Sequence, residues 1–193
     1  TAARSEGFDD FVNHETSKAV GLEPPHVLAL RLYSTACYKS INGPLRDQSR
    51  TDAHPLAVTV SFVDEAVRKL RAVDAMSATS IGRQDLWRGM RNANLQDDFL
   101  VKGGTELAPM STTTDLGVAL LYSASRAAVL LRLATSSFME RGADISFLSA
   151  FPAEKEALAA PRHAPQSCRA ARRATPHATP LTTDRDRRMH ATP

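Results

Sequence analysis

Two stretches in the first half of the chain carry apolar residues at helical spacing. After Pro24 and Pro25, the residues Ala29, Tyr33, Ala36, Cys37 and Ile41 fall near one face, which predicts a helix over about 26–42. Proline suits a first helical turn, and Asn42-Gly43-Pro44 is expected to end the helix. Val27, Leu28, Leu30 and Leu32 add apolar bulk on its other faces, so it is expected to be well buried. A second helix is predicted over about 57–73. Phe62, Val63, Ala66, Val67, Leu70 and Val73 make its stripe, and Asp64, Glu65, Arg68, Lys69 and Arg71 its wet face.

A loop over 74–84 follows, and beyond it the pattern shortens. Asp85-Leu86-Trp87-Arg88-Gly89-Met90 is apolar around one arginine. Asp115 is placed to cap a short helix over 116–123. Residues 127–134 read as an interior strand, apolar on both faces with Arg132 as the exception. Residues 145–148 and 154–158 are short strand candidates around a loop that holds Pro152. Helices followed by several strands define an α+β class. Tyr33 and Tyr122 read as core residues, and His14, His26 and His54 as solvated ones.

Composition divides the chain further. Residues 1–24 read as a lead-in and 25–160 as the folded domain. Residues 161–193 hold five of the eleven prolines, seven arginines and two aspartates, for a net charge of +5. With no Val, Ile, Phe, Trp or Tyr, this tail is expected to be disordered, because it cannot bury enough apolar area to offset the entropy of ordering. The whole chain carries +3, so the remainder is near −2, and the basic balance gives no reason to expect a nucleic-acid partner. Two cysteines make neither a disulfide framework nor a metal cluster, and no stretch is long enough to span a bilayer. The chain begins at Thr1, which fits a fragment or a processed form, so its compartment is left open, as is its oligomeric state.

Three signals then stand in order: Arg88-Gly89, Ser111-Thr112-Thr113 and Glu154-Lys155-Glu156. In that order, and with their flanks Leu86-Trp87 and 143-ADISFLSAFPAEKEAL-158, they resemble the arginine-specific mono-ADP-ribosyltransferases of the R-S-E class. The helix bearing Tyr33, Tyr38, Asn42 and Arg46 is similar to that family's N-terminal region, so the resemblance covers about residues 25–158. It implies N-terminal helices followed by a mixed, strongly twisted β-sandwich core. It also implies NAD as a substrate, no metal, and a protein arginine as acceptor. Arg88, Gly89, Ser111 and Thr112 are implied to hold NAD. Ser111 would bond the ribose or hold the catalytic glutamate, Glu156 would drive cleavage, and Glu154 would receive the acceptor.

The residue types suit that chemistry. A planar guanidinium makes paired charge-assisted hydrogen bonds to a pyrophosphate. Glycine lets a ring approach the backbone closely. Breaking the nicotinamide–ribose bond develops oxocarbenium character, which a carboxylate stabilises, and the leaving group is already cationic. If residues 154–156 form a strand, both carboxylates lie on one face, with their Cα atoms about 6.5–7 Å apart. The family continues into a further strand after its glutamate strand. Here Ala159-Ala160-Pro161 runs into the tail, so the sheet is expected to lack an edge strand beside Glu156. That feature favours a non-catalytic module that keeps the fold, while water as acceptor would make an NAD glycohydrolase.

Overall fold

The computed structural model describes residues 7–76, 82–93, 99, 105–159, 162–163 and 168–172. Its first half is helical: α1 (Phe8–Val12), α2 (Glu15–Ala19), α3 (Pro24–Tyr33), α4 (Tyr38–Arg46) and α5 (Ala57–Met76). The expected single helix over 26–42 is therefore two. The hydroxyls of Ser34 and Thr35 bond back to the carbonyls of Arg31 and Leu32, competing with helix propagation and ending α3. Asn42-Gly43-Pro44 does not end the second piece either, because α4 carries Pro44 inside it and stops at Arg46. The lower half of the expected 74–84 loop is the end of α5, and residues 77–81 lie outside the described residues.

The second half supplies the strands. They are β1 (Gln84–Arg91), β2 (Thr105–Glu106), β3 (Met110–Thr113), β4 (Ala128–Thr135), β5 (Ala143–Asp144), β6 (Glu156–Ala159), β7 (Arg162–His163) and β8 (Cys168–Arg172). Helices α6 (Leu116–Tyr122) and α7 (Phe138–Arg141) lie between them. Asp115 caps α6 as expected, accepting the amides of Gly117 and Val118. One sheet runs β5-β6-β3-β1-β4-β8, and β2 pairs with β7 apart from it. Every ladder among the described residues is antiparallel, so the mixed character implied above is not seen there. The α+β class stands.

Two strand expectations change. Residues 145–148 form turns, and the strand before them is β5. More consequentially, β6 is not left at an unbraced edge: β3 flanks it on one side and β5 on the other. Strands also follow Leu158. β8, drawn from the arginine-rich segment, pairs with β4 from Leu133↔Cys168 to Val129↔Arg172. The rest of the expected disordered tail, 161, 164–167 and 173–193, lies outside the described residues.

The core joins the two halves. Phe11, Leu22, Val27, Leu30, Ile41, Val63, Val67 and Leu70 from the helical side pack with Ile145, Leu148 and Leu158 from the strand side. Each such side chain contributes roughly 1.5–3 kcal/mol when fully buried. His26 is not solvated: it is 1% exposed, accepts the amide of Glu23 on Nδ1 and turns Nε2 toward Glu65 at 3.3 Å. A second, polar joint ties α3 and α4 to the start of β3. The Tyr33 phenol donates to Pro109 O at 2.7 Å, and Asn42 Nδ2 donates to both the Tyr33 oxygen (3.0 Å) and Pro109 O (3.1 Å). Burial pushes the Tyr33 pKa up, so the phenol keeps its proton as a donor.

Asn42 is 1% exposed, and its replacement takes one donor from the Tyr33 oxygen and one from Pro109 O, which keep their bond to each other. Asn42→Ala is expected to lower unfolding stability by about 2 kcal/mol, read from urea denaturation. A loss below about 0.5 kcal/mol would show that the joint does not hold the halves together.

Candidate active site

Register explains how the site assembles. Trp87 pairs with Thr113 and Thr113 with Glu156, so one row crosses the three strands β1, β3 and β6. Ser111 stands opposite Leu158, two residues along β6 from Glu156, and shares its face. From there the Ser111 hydroxyl donates to Glu156 Oε1 at 2.6 Å. Arg88 Nη1 donates to the Ser111 carbonyl at 2.8 Å, which sets the arginine beside the same pair. Arg88, Gly89, Ser111, Thr112, Glu154 and Glu156 all line one cleft of about 380 Å³, together with Tyr33, Tyr38, Trp87, Tyr122 and Phe151.

The Glu156 carboxylate is 8% exposed. Burial raises its pKa, and the hydroxyls of Ser111 and Ser149 pull the other way. Ser149 escaped the sequence reading. Its hydroxyl lies 3.3 Å from Glu156 Oε2 and accepts the Phe151 amide at 3.1 Å. Its loop is pinned to α3: Arg31 Nη1 donates to Leu148 O, the Ala150 amide donates to Ser34 Oγ, and the Arg31 guanidinium sits 3.9 Å above the Phe11 ring. The only available signal was a serine seven residues ahead of the glutamate, which resembles any loop serine.

Glu154 is placed by different means than expected. It ends a 3-10 turn (Pro152–Glu154), Lys155 takes a left-handed conformation with φ 49°, and the strand begins only at Glu156. The two carboxylates are therefore not related by strand alternation. A non-glycine residue in that region costs about 1–3 kcal/mol and persists when its surroundings fix it. Here Thr113 Oγ1 donates to the Glu154 carbonyl at 2.7 Å and Lys155 Nζ reaches Asp115 Oδ2 at 3.3 Å. Tyr122 is not a core residue. It is 47% exposed, and its phenol donates to Glu154 Oε1. Burial, then that hydrogen bond, push its pKa up to about 12.

The remaining expected ligand groups divide. Thr112 Oγ1 donates to the Ala157 carbonyl at 2.9 Å, so its hydroxyl proton is committed to the sheet. Gly89 is required by packing: a Cβ there would lie 1.9 Å from Ala119 O and 2.8 Å from the Ser123 amide nitrogen. Helix α6 thus packs against the Cα of Gly89, which also lines the cleft. Arg88 is half-buried, and no carboxylate among the described residues pairs with it. Burial lowers its pKa. No cluster of three or more metal-ligating side chains occurs among the described residues.

The chain has the ADP-ribosyltransferase fold. Vis, an ADP-ribosyltransferase solved with the M6 inhibitor, is 21% identical at TM-score 0.57, over 80% of this chain and 71% of that one. Plx2a, an ADP-ribosyltransferase toxin from Paenibacillus larvae, is 17% identical at TM-score 0.54, over 84% and 91%. Exoenzyme S from Pseudomonas aeruginosa, solved with human 14-3-3 protein beta and carba-NAD, is 19% identical at TM-score 0.51, over 80% and 74%. No protein-family model and no curated protein sequence matches the chain.

The raised Glu156 pKa has a consequence for stability. A carboxyl whose folded pKa lies above its unfolded value stabilises the fold fully only below the unfolded value, and that contribution is lost as pH rises through the folded one. Glu156→Gln, which cannot ionise, is therefore expected to melt above wild type at neutral pH. The difference should shrink as the pH falls through the carboxylate range. A difference that stays constant from acid to neutral pH would exclude burial of the charge as its cause.

Proposed function

We propose that the chain is an NAD-dependent mono-ADP-ribosyltransferase that moves ADP-ribose to arginine side chains of proteins, releasing nicotinamide. The observation that carries this reading is the 2.6 Å bond from Ser111 to Glu156, inside a cleft that also holds Arg88 and Glu154. Neighbours in fold are ADP-ribosyltransferases, and one was solved with carba-NAD.

In this reading the Arg88 guanidinium meets the pyrophosphate and nearby ribose. The Gly89 backbone, Ser111 and Thr112 line the nicotinamide–ribose end. Glu156 acts on the reacting carbon. As the glycosidic C–N bond breaks, its electron pair neutralises the nicotinamide nitrogen, and positive charge gathers on the ribose. An ionised Glu156 beside that carbon stabilises the charge, and the site's exclusion of water strengthens the effect. A nitrogen lone pair of the acceptor guanidinium then forms the new C–N bond, and one proton leaves through Glu154 to solvent.

Arginine as acceptor rests on Glu154, which lines the cleft and carries no cationic partner among the described residues. Lys155, the neighbouring cation, is turned to Asp115 instead. Water in the same place would make an NAD glycohydrolase. The non-catalytic alternative drew its support from an unbraced β6, and strands on both sides of β6 remove that support.

Incubation of the full chain with labelled NAD and an arginine acceptor such as agmatine or poly-arginine tests the reading. Label transfer is expected from wild type, and Glu156→Ala should lower both transfer and NAD hydrolysis by about 10²–10³-fold. Full activity in Glu156→Ala would overturn the assignment. Glu154→Gln should keep NAD hydrolysis while losing arginine transfer by about 10²-fold. Equal loss of both reactions would show that Glu154 does not serve the acceptor.

A further inference from the structure

Glu154 lines the cleft from a 3-10 turn, and only its backbone is fixed by that turn. Among the described residues, one side chain holds its carboxylate, and that is the Tyr122 phenol on Oε1. Tyr122 itself is firmly placed. It is the last residue of α6, whose terminal carbonyls are gripped by Arg91: Nε donates to Tyr122 O at 3.2 Å and Nη2 to Leu121 O at 3.0 Å. The same helix rests on β1 at Gly89, closely enough that no other residue fits there. Strand β1, which carries Arg88, thereby fixes the reach of the phenol toward Glu154.

We propose that Tyr122 is a positioning residue for the acceptor, which orients the Glu154 carboxylate and so sets the partition between transfer to arginine and hydrolysis of NAD. This rests on the arginine-acceptor reading and adds to it the residue that makes the acceptor carboxylate selective. With Oε1 occupied by the phenol, Oε2 is presented to the incoming guanidinium in one orientation. An exposed glutamate without that contact samples several rotamers, most of which leave the acceptor place to water. The phenol keeps its proton across the working range, since its pKa is pushed up to about 12, and so acts as a fixed donor.

The test compares agmatine transfer with NAD hydrolysis in the wild-type chain, Tyr122→Phe and Leu121→Ala. Leu121 is the exposed neighbour on the same helix and controls for disturbance of α6. Tyr122→Phe is expected to lower the transfer-to-hydrolysis ratio about tenfold, through a raised acceptor KM at an unaltered NAD KM. Leu121→Ala is expected to keep the wild-type ratio. An unchanged ratio in Tyr122→Phe, with a transferring wild type, would overturn this inference alone. An equal fall in Leu121→Ala would overturn it too, by assigning the effect to the helix. A wild type that hydrolyses NAD but never labels agmatine would overturn the arginine reading, and this inference with it.

Discussion

A carboxylate removed from water must find donors, and the placement of Glu156 depends on meeting that requirement. Two hydroxyls meet it, and they arrive from opposite directions. Ser111 comes from the neighbouring strand, where register alone delivers it. Ser149 comes from a loop outside the sheet, which α3 helps to hold. Arg31 is the hinge of that arrangement: it grips the loop carbonyl while its guanidinium lies over Phe11 of α1. The helical half of the chain therefore serves the site without lining most of it. It supplies the core behind Leu158 and the fixed wall against which the Ser149 loop is set.

The two carboxylates of the cleft live in different environments. Glu156 is buried, bonded to hydroxyls and shifted toward its neutral form by burial. Glu154 is half-buried, with one phenol as the carboxylate's side-chain partner among the described residues. In the proposed reading, such a division lets one carboxylate answer to charge on the substrate carbon while the other answers to the acceptor. Helix α6 links them. Its N-cap Asp115 holds Lys155 between the carboxylates, and its last residue holds Glu154. The contact with Gly89 sets how close that helix can come to β1.

Much of this was legible in the sequence because it depends on local pattern. The apolar stripe of α5, the Asp115 cap and the interior strand β4 follow from periodicity and capping. The order of Arg88, Ser111 and Glu156 was legible as a motif. The split between α3 and α4 was harder, since Ser34 and Thr35 are weak breakers until their hydroxyls find the preceding carbonyls. Strand β8 was hidden by composition: Cys168-Arg-Ala-Ala-Arg172 has no alternating apolar signal, and an edge strand does not need one. Ser149 and Tyr122 were missed because their partners lie across turns whose geometry no spacing rule supplies. Tyr122 in particular looks like an apolar-face residue of a short helix until the fold brings Glu154 to its hydroxyl.

The backbone at Lys155 shows most clearly what a spacing argument leaves out. A Glu-x-Glu triplet in a strand would fix both carboxylates to one face and make them rise and fall together. A left-handed residue between them breaks that coupling, so the strand positions Glu156 while the turn positions Glu154. Each glutamate is then held by its own set of neighbours: hydroxyls from β3 and the Ser149 loop on the Glu156 carboxylate, and the α6 phenol on the Glu154 carboxylate with Thr113 on the Glu154 backbone carbonyl. In the proposed reading, the constraint on acceptor chemistry consequently lies outside the triplet, in a helix 32 residues upstream whose distance from the sheet is set by a glycine.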